Sequence, residues 1–510
     1  MDNNVENNQL KIDENNIPNN PMTKEPGIGM TNSFEQKEEA SVPNNPMNND
    51  IVTSNLNQKN IFEVNIDEIE SSNNFLETQI NKIQNQENVY ECGRVIKVTN
   101  FIVEVSGLDN LSFFEKVKIG DSAIGYVNGI MENSVTVALL SNTKTIKVDD
   151  KVYSTGEILN TFFSNQFVGR IIDMFGNDLY TENKFEKMIK INIENDPVPL
   201  MDRGTVNRPL QTGISGLDLI YPIGKGQRQL IVGDKKTGKT QLCLDVIANQ
   251  QNKNVLCIYV AIGKTKKEVK SIYTELQAKG ALQYTMIISA FNDDKPPIIY
   301  LTPYAALSIA EVFMKNKYDV LVVIDDLKRH ADAYREISLV SGKTPGRDAY
   351  PADIFYTHSR LLEKGCQLES GGSITILPIV ETKAEDITDY ITTNIISITD
   401  GQIYLSSKLF NKGQKPAIDY GLSVSRLGGN VQEPDIKKLG SAVRLKLLNY
   451  LETQDVYQFA NLDEMGGNLK SKIIEGKKIM DLLNQNKFAP KTKEEIINDF
   501  NFVVGATNEG

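Results

Sequence analysis

Eight consecutive residues constrain this chain more than any others. Gly233-Asp234-Lys235-Lys236-Thr237-Gly238-Lys239-Thr240 fits the spacing G-x4-G-K-[ST] in full. A short apolar run, Gln229–Gly233, leads into it, and a helix-like stretch, Gln241–Ala248, follows. The motif therefore sits in the strand–loop–helix context that gives it meaning. The two glycines let the loop wrap, so that backbone N–H groups face an anion. The N-terminus of the following helix adds partial positive charge. In such a loop Lys239 reaches the β- and γ-phosphates, and the Thr240 hydroxyl ligates Mg²⁺. All eight residues are candidate nucleotide contacts, with Mg-ATP or Mg-ADP as the ligand.

Further apolar runs follow at the spacing of an α/β sheet: Asn254–Ile262, Tyr284–Ala290, Val320–Ile324 and Ser373–Val380. Nearly continuous apolar runs suit parallel strands covered on both faces. The third ends in Asp325-Asp326. A carboxylate at the tip of a buried strand is where Mg²⁺ finds its second support, so Asp325 joins Thr240 as a metal candidate. Upstream, Gly93–Val98, Phe101–Val105, Glu115–Ile119 and Ser134–Leu140 are rich in β-branched residues and separated by turn signals. They predict a small barrel or sandwich of about six short strands.

Composition removes several classes. The 510 residues suggest about three domains. The net charge is −11, from 55 basic and 66 acidic side chains. That balance argues against a protein whose main task is to coat nucleic acid, and the β module shows no stacking platform. Four cysteines without metal-ligand spacing and two histidines exclude a disulfide framework and a zinc site. Cys243, Cys257, His330 and His358 read as packing residues. The run Val255–Ile262 is too short for a membrane span, and the first residues lack the pattern of a secretory signal. A cytoplasmic protein is expected.

The charge is uneven. Residues 1–88 hold 15 acidic and 5 basic side chains, a net of −10, together with 22 asparagines. Pro-Asn-Asn-Pro-Met occurs at Pro18–Met22 and again at Pro43–Met47. Such a segment buries too little apolar surface to offset the entropy of folding, so residues 1–60 are expected to be disordered. Ile61, Phe62, Val64, Ile66, Ile69, Phe75, Leu76, Ile80 and Ile83 are expected to form an amphipathic helix, interrupted at Ser71–Asn74.

Longer stretches resemble the alpha subunit of F-type ATP synthases. They are Pro209–Ile214, Pro222–Arg228, the loop 233–240, Pro345–Glu363, Asn394–Ile403 and Gly421–Gly428, in family order. The resemblance spans about residues 90–500. It implies a multi-domain α/β fold: an acidic extension at 1–88, a β-barrel at 89–155, a RecA-like nucleotide domain at 156–432 and a shortened helical domain at 433–510. It implies a ring of three alpha-type and three catalytic beta-type subunits around a gamma-like shaft, meeting the membrane only through the complex at its cytoplasmic face. Alpha-type subunits bind nucleotide without turning it over.

The resemblance also assigns residues. Arg426, in Gly421-Leu-Ser-Val-Ser-Arg426, matches the family arginine that reaches the neighbour's nucleotide. Lys415-Pro416 falls where the family lines the adenine pocket, and Gln458 near a glutamine that approaches the base. The beta type ends the strand after the P-loop helix in Gly-Glu-Arg, and the alpha type usually has Gln at the glutamate position. Here that strand ends in Ile262-Gly263-Lys264. An ammonium only donates and cannot orient an attacking water as a carboxylate does. Lys264 reads either as a neutral surface replacement or as a charge near the γ-phosphate. Lys235-Lys236 replaces the usual Arg-Gln.

Two ends depart from the family: the acidic extension, expected to meet an extra partner, and a C-terminal region of three helices (Ser441–Glu452, Asn468–Gln485 and one starting at Glu494). These departures favour a divergent ATPase of the kind found in wall-less bacteria, driving a machine other than the proton channel. The ordinary synthase subunit is the alternative. A RecA-like RNA translocase is a third, without the basic, aromatic RNA site it needs.

Overall fold

The computed structural model describes residues 62–69, 92–142, 144–181, 184–456 and 467–505. Six antiparallel strands close a barrel. In spatial order they are Cys92–Thr99, Ile102–Ser106, Val135–Asn142, Ala123–Ile130, Glu115–Ile119 and Lys151–Ile158, the last pairing back to the first. Val103, Val105, Val117, Val127, Val137 and Val152 are fully buried and fill the interior. A barrel of this size is packed by side chains rather than hollow. Closure satisfies every strand edge.

The nucleotide domain is built on a largely parallel sheet. Its order runs Val424–Ser425, Gly401–Leu405, Leu230–Asp234, Ser373–Thr382, Asp319–Asp325, Val255–Lys264, Thr285–Phe291, Ile171–Ile172. The predicted apolar runs are thus the central strands, and the P-loop strand lies between two parallel neighbours. The helices Lys239–Ala248, Lys266–Ala278, Pro296–Lys315 and Leu327–Val340 connect these strands. Pro296–Lys315 is apolar and 20 residues long, enough to cross a membrane, but 83% of its most apolar window is buried. It is a core helix, and prolines at its first turn suit a helix start.

Toward the C-terminus the helices are Pro434–Val456, Gly467–Leu483, Lys493–Phe500 and Phe502–Gly505. The three expected helices are present, the first longer at both ends. Thr492 caps Lys493–Phe500 in a capping box with Glu495.

One segment upstream of the barrel departs from its expectation. Residues 62–65 are non-helical, and only 66–69 are helical; the rest of the expected 61–83 helix lies outside the described residues, as do residues 1–60. Phe62 and Val64 are buried and alternate with the exposed Glu63 and Asn65. That is a period of two, the period of a strand. Val64 N–H donates to Asn165 Oδ1 at 3.1 Å, and Asn165 Nδ2 donates to Val64 O at 2.9 Å. The amide side chain of Asn165 thus replaces a strand partner. The Phe62 ring packs edge-on against Tyr318 with centroids 5.3 Å apart, and the Tyr318 hydroxyl donates to Glu63 O at 3.1 Å.

Candidate nucleotide-binding site

The phosphate loop leaves the C-terminal end of Leu230–Asp234 and enters Lys239–Ala248. Sequence and neighbours both require glycine at its start. A Cβ on Gly233 would stand 2.4 Å from the Leu405 carbonyl oxygen on the adjacent strand. Lys236 and Gly238 turn the loop with φ of 66° and 95°. Gly238 is the N-cap of the helix and offers no side-chain acceptor to its first N–H groups. Those groups are available to an anion. Lys235 and Lys236 are exposed; Thr237 and Lys239 are buried. Thr237 Oγ1 donates to Asp234 O at 2.8 Å, and Lys239 Nζ donates to the same carbonyl at 2.6 Å. Burial lowers the Lys239 pKa below that of an ordinary lysine. The Asp234 carboxylate accepts from Thr382 Oγ1 at 2.6 Å and from Glu385 N–H at 2.9 Å, tying the loop to the neighbouring strand end.

The two metal candidates meet. Thr240 Oγ1 donates to Asp325 Oδ2 at 2.7 Å. A hydroxyl beside a carboxylate is an oxygen donor set that suits Mg²⁺. Two further groups reach the same carboxylate oxygen: the buried Tyr259 hydroxyl at 2.7 Å and Lys264 Nζ at 3.0 Å. Register explains the contact with Lys264. Val255–Lys264 and Asp319–Asp325 are adjacent parallel strands with Ala261 opposite Asp325. Asp326 faces elsewhere. Its carboxylate accepts from the N–H groups of Lys328 (2.6 Å) and Arg329 (3.1 Å), capping Leu327–Val340. Burial, and then the neighbouring Asp325 charge, push its pKa up to about 6.

Arg426 lies at the other end of the sheet. The edge strand Val424–Ser425 pairs antiparallel with Gly401–Leu405, with Ser425 opposite Gly401, whereas Gly233 lies beside Leu405. Four strand residues, roughly 13 Å, separate these levels. Arg426 is exposed, its N–H donating to Asp400 O at 2.9 Å and its Nη1 to Thr399 O at 3.4 Å. It does not join its own chain's phosphate loop.

Lys415-Pro416 forms a cis peptide, with the Lys415 side chain exposed. Gln485 N–H donates to Lys415 O at 2.6 Å, and Lys415 N–H donates to Asn484 Oδ1 at 3.1 Å. The Gln485 side chain donates to Gly213 O at 2.7 Å and accepts from Ser215 N–H at 3.1 Å. Three residues on, Phe488 N–H donates to Asp245 Oδ1 on the P-loop helix at 3.0 Å. The turn 484–488 therefore links Lys415-Pro416 to the helix that follows the phosphate loop. Gln458, the glutamine expected there, lies outside the described residues. Gln485 is a residue the sequence reading missed. Both glutamines stand near a phenylalanine, and the contact with Gly213 spans 272 residues of chain.

Comparison with known proteins agrees with this architecture. Residues 89–156 match the β-barrel domain of the ATP synthase alpha/beta family, and residues 213–425 match its nucleotide-binding domain. The chain belongs to the ATP synthase alpha/beta family. Its relatives include an ATP synthase subunit alpha from Macrococcus caseolyticus (strain JCSC5402), 41% identical over 423 residues, covering 82% of this chain and 84% of the relative. The ATP synthase subunit alpha of Acetivibrio thermocellus is 42% identical over 425 residues, 82% of this chain and 83% of the relative. That of Ureaplasma parvum serovar 3 is 42% identical over 427 residues, 83% of this chain but 53% of the relative.

Lys264, expected either as a surface replacement or as a charge near the γ-phosphate, meets Asp325. It is not a surface replacement: its side chain is 19% exposed and its ammonium rests on Asp325. The remaining candidates are packing residues. Cys243 and Cys257 are buried free thiols. His330 and His358 are fully buried with ring centroids 5.4 Å apart, and His330 Nε2 lies 3.1 Å from Tyr300 O. No cluster of metal-ligating side chains occurs among the described residues.

Proposed function

We propose that this chain is the nucleotide-binding, non-catalytic alpha-type subunit of a hexameric F-type-like rotary ATPase. Its P-loop holds Mg-ATP or Mg-ADP through Gly233–Thr240. Thr240 and Asp325 mark the place a metal ion would take, and Lys264 already pairs with Asp325 there. The observation that carries the non-catalytic reading is Lys264. The family's catalytic subunits place at this position a glutamate that accepts a proton from attacking water; an ammonium bonded to Asp325 offers no acceptor. Arg426 acts in trans. It points away from its own phosphate loop and is exposed for a beta-type neighbour, where a guanidinium stabilises charge on the transferring phosphoryl group. Lys415, Pro416 and Gln485 border the base.

The ring works at the cytoplasmic face of the membrane, attached through its complex, with a gamma-like shaft at its centre. The acidic residues upstream of Phe62 favour a divergent ATPase with an extra partner over the ordinary proton-translocating enzyme. Purification of the native complex tests both levels. A beta-type chain co-purifying with subunits foreign to the proton channel is the expected result. Recovery of the ordinary proton-channel subunits returns the chain to the standard synthase. Rapid ATP turnover by the isolated chain would overturn the non-catalytic assignment.

A further inference from the structure

We propose that Lys264 is the resident cation of this nucleotide site, taking over from Mg²⁺ the neutralisation of Asp325, so that the site binds ATP almost independently of Mg²⁺. The inference rests on the P-loop being a nucleotide site.

The geometry carries it. Asp325 Oδ2 receives three donors: Thr240 Oγ1 at 2.7 Å, Tyr259 OH at 2.7 Å and Lys264 Nζ at 3.0 Å. A carboxylate oxygen offers about two lone-pair sites. Three donors saturate Oδ2, so a magnesium-bound water could reach Asp325 only through its other oxygen, on a carboxylate already paired with an ammonium. The Thr240 hydroxyl spends its proton on the same oxygen and keeps only its lone pairs for a cation. The ion pair is shielded, with side-chain exposures of 19% for Lys264 and 4% for Asp325. Shielded charges interact strongly and are poorly screened by salt.

Charge makes the second half of the argument. A bare Asp325 would repel a triphosphate, and Mg²⁺ normally removes that repulsion. Here a fixed ammonium does so, held on the strand adjacent to Asp325. Mg²⁺ entering the same place must displace or face Lys264, and like charges within a few ångströms oppose each other. Lys239 remains free to change partners: among the described residues its hydrogen-bond acceptor is the Asp234 carbonyl. Phosphate charge is then met by Lys239, the loop N–H groups and Lys264.

The test uses the purified full chain and ATP as the probe, by calorimetric titration in excess Mg²⁺ and again in excess EDTA. The expected result is a Kd that changes less than about threefold between the two buffers, under 1 kcal/mol. Lys264→Gln, which leaves Asp325 uncompensated, should bind ATP at least about tenfold more tightly with Mg²⁺ than without it. A wild-type Kd that weakens tenfold or more in EDTA overturns the inference. So does a Lys264→Gln protein as indifferent to Mg²⁺ as the wild type. Should Lys264→Gln fail to fold, Lys264→Arg keeps the charge and must keep the indifference; acquired Mg²⁺ dependence there overturns the inference too. Absence of ATP binding by the wild type in both buffers would instead refute the nucleotide site itself.

Discussion

Lys364 Nζ lies 2.6 Å from Glu311 Oε1, with only 1% and 4% of the two side chains exposed. Asn195 completes the cluster, its carbonyl accepting from Lys364 at 3.1 Å and its amide donating to Glu311 at 2.9 Å. Breaking a buried pair from one side leaves a charge without water or partner. Lys364→Met should therefore destabilise the chain by about 3–5 kcal/mol. Combining it with Glu311→Leu should recover most of that loss, because two apolar side chains replace two buried charges. Urea unfolding of the single and double variants measures both.

Lys239 is expected to be required for binding rather than for folding. Its ammonium donates to a carbonyl of its own loop, so its removal breaks one charge-assisted hydrogen bond in the free protein. On the proposed reading it meets phosphate once nucleotide binds. A hydrogen bond to a charged group contributes roughly 1.5–3 kcal/mol, so Lys239→Ala should weaken ATP binding on the order of 10–100-fold. Without nucleotide the loss of stability should not exceed that one hydrogen bond, because removing a charge that burial disfavours offsets part of it. Unchanged affinity by calorimetry would contradict the phosphate role.

Arg426 gives the opposite profile. Its side chain is exposed and far along the sheet from Gly233. Arg426→Ala should leave ATP binding by the isolated chain unchanged. Assembled with its beta-type partner, it should lower turnover by a factor on the order of 10³–10⁵. Near-normal ATPase activity of that assembly would remove Arg426 from catalysis.

His330 and His358 predict acid sensitivity. Burial lowers the His358 pKa from 6.5 to about 4 and lowers that of His330 well below its usual value, with the neighbouring His358 contributing. Both are neutral in the folded chain. The unfolded chain takes up protons below about pH 6.5, so stability is full above that pH and falls as the pH drops toward 4. For His358 alone the loss reaches about 3 kcal/mol below pH 4. Neither ring nitrogen of His358 has a hydrogen-bond partner among the described residues. His358→Leu should thus be tolerated at pH 7 and should flatten the decline between pH 6.5 and 4 in urea unfolding.

The parts legible in the sequence are those whose cause is local. The P-loop is eight adjacent residues, and its glycines and lysine act through the backbone they belong to. Buried strands reveal themselves by continuous apolar runs, and Val255–Ile262 and Val320–Ile324 are central in the sheet. What escapes is set by partners distant in sequence. That Lys264 lands on Asp325 depends on the register Ala261 to Asp325 across two strands. Gln485 reaches the Lys415 turn through a fold that brings residue 213 beside it. Phe62, Val64 and Ile66 alternate in plain view, but nine apolar residues over 23 positions invited a helical period. The Asn165 side chain that accepts the segment could not be foreseen from spacing.

The seat of Phe62 on Tyr318 has a mechanical consequence. Force applied to the residues upstream of Phe62 is delivered to the nucleotide domain, through the Tyr318 ring and the paired amide of Asn165. A partner that grips the acidic extension therefore pulls directly on the domain that holds the nucleotide.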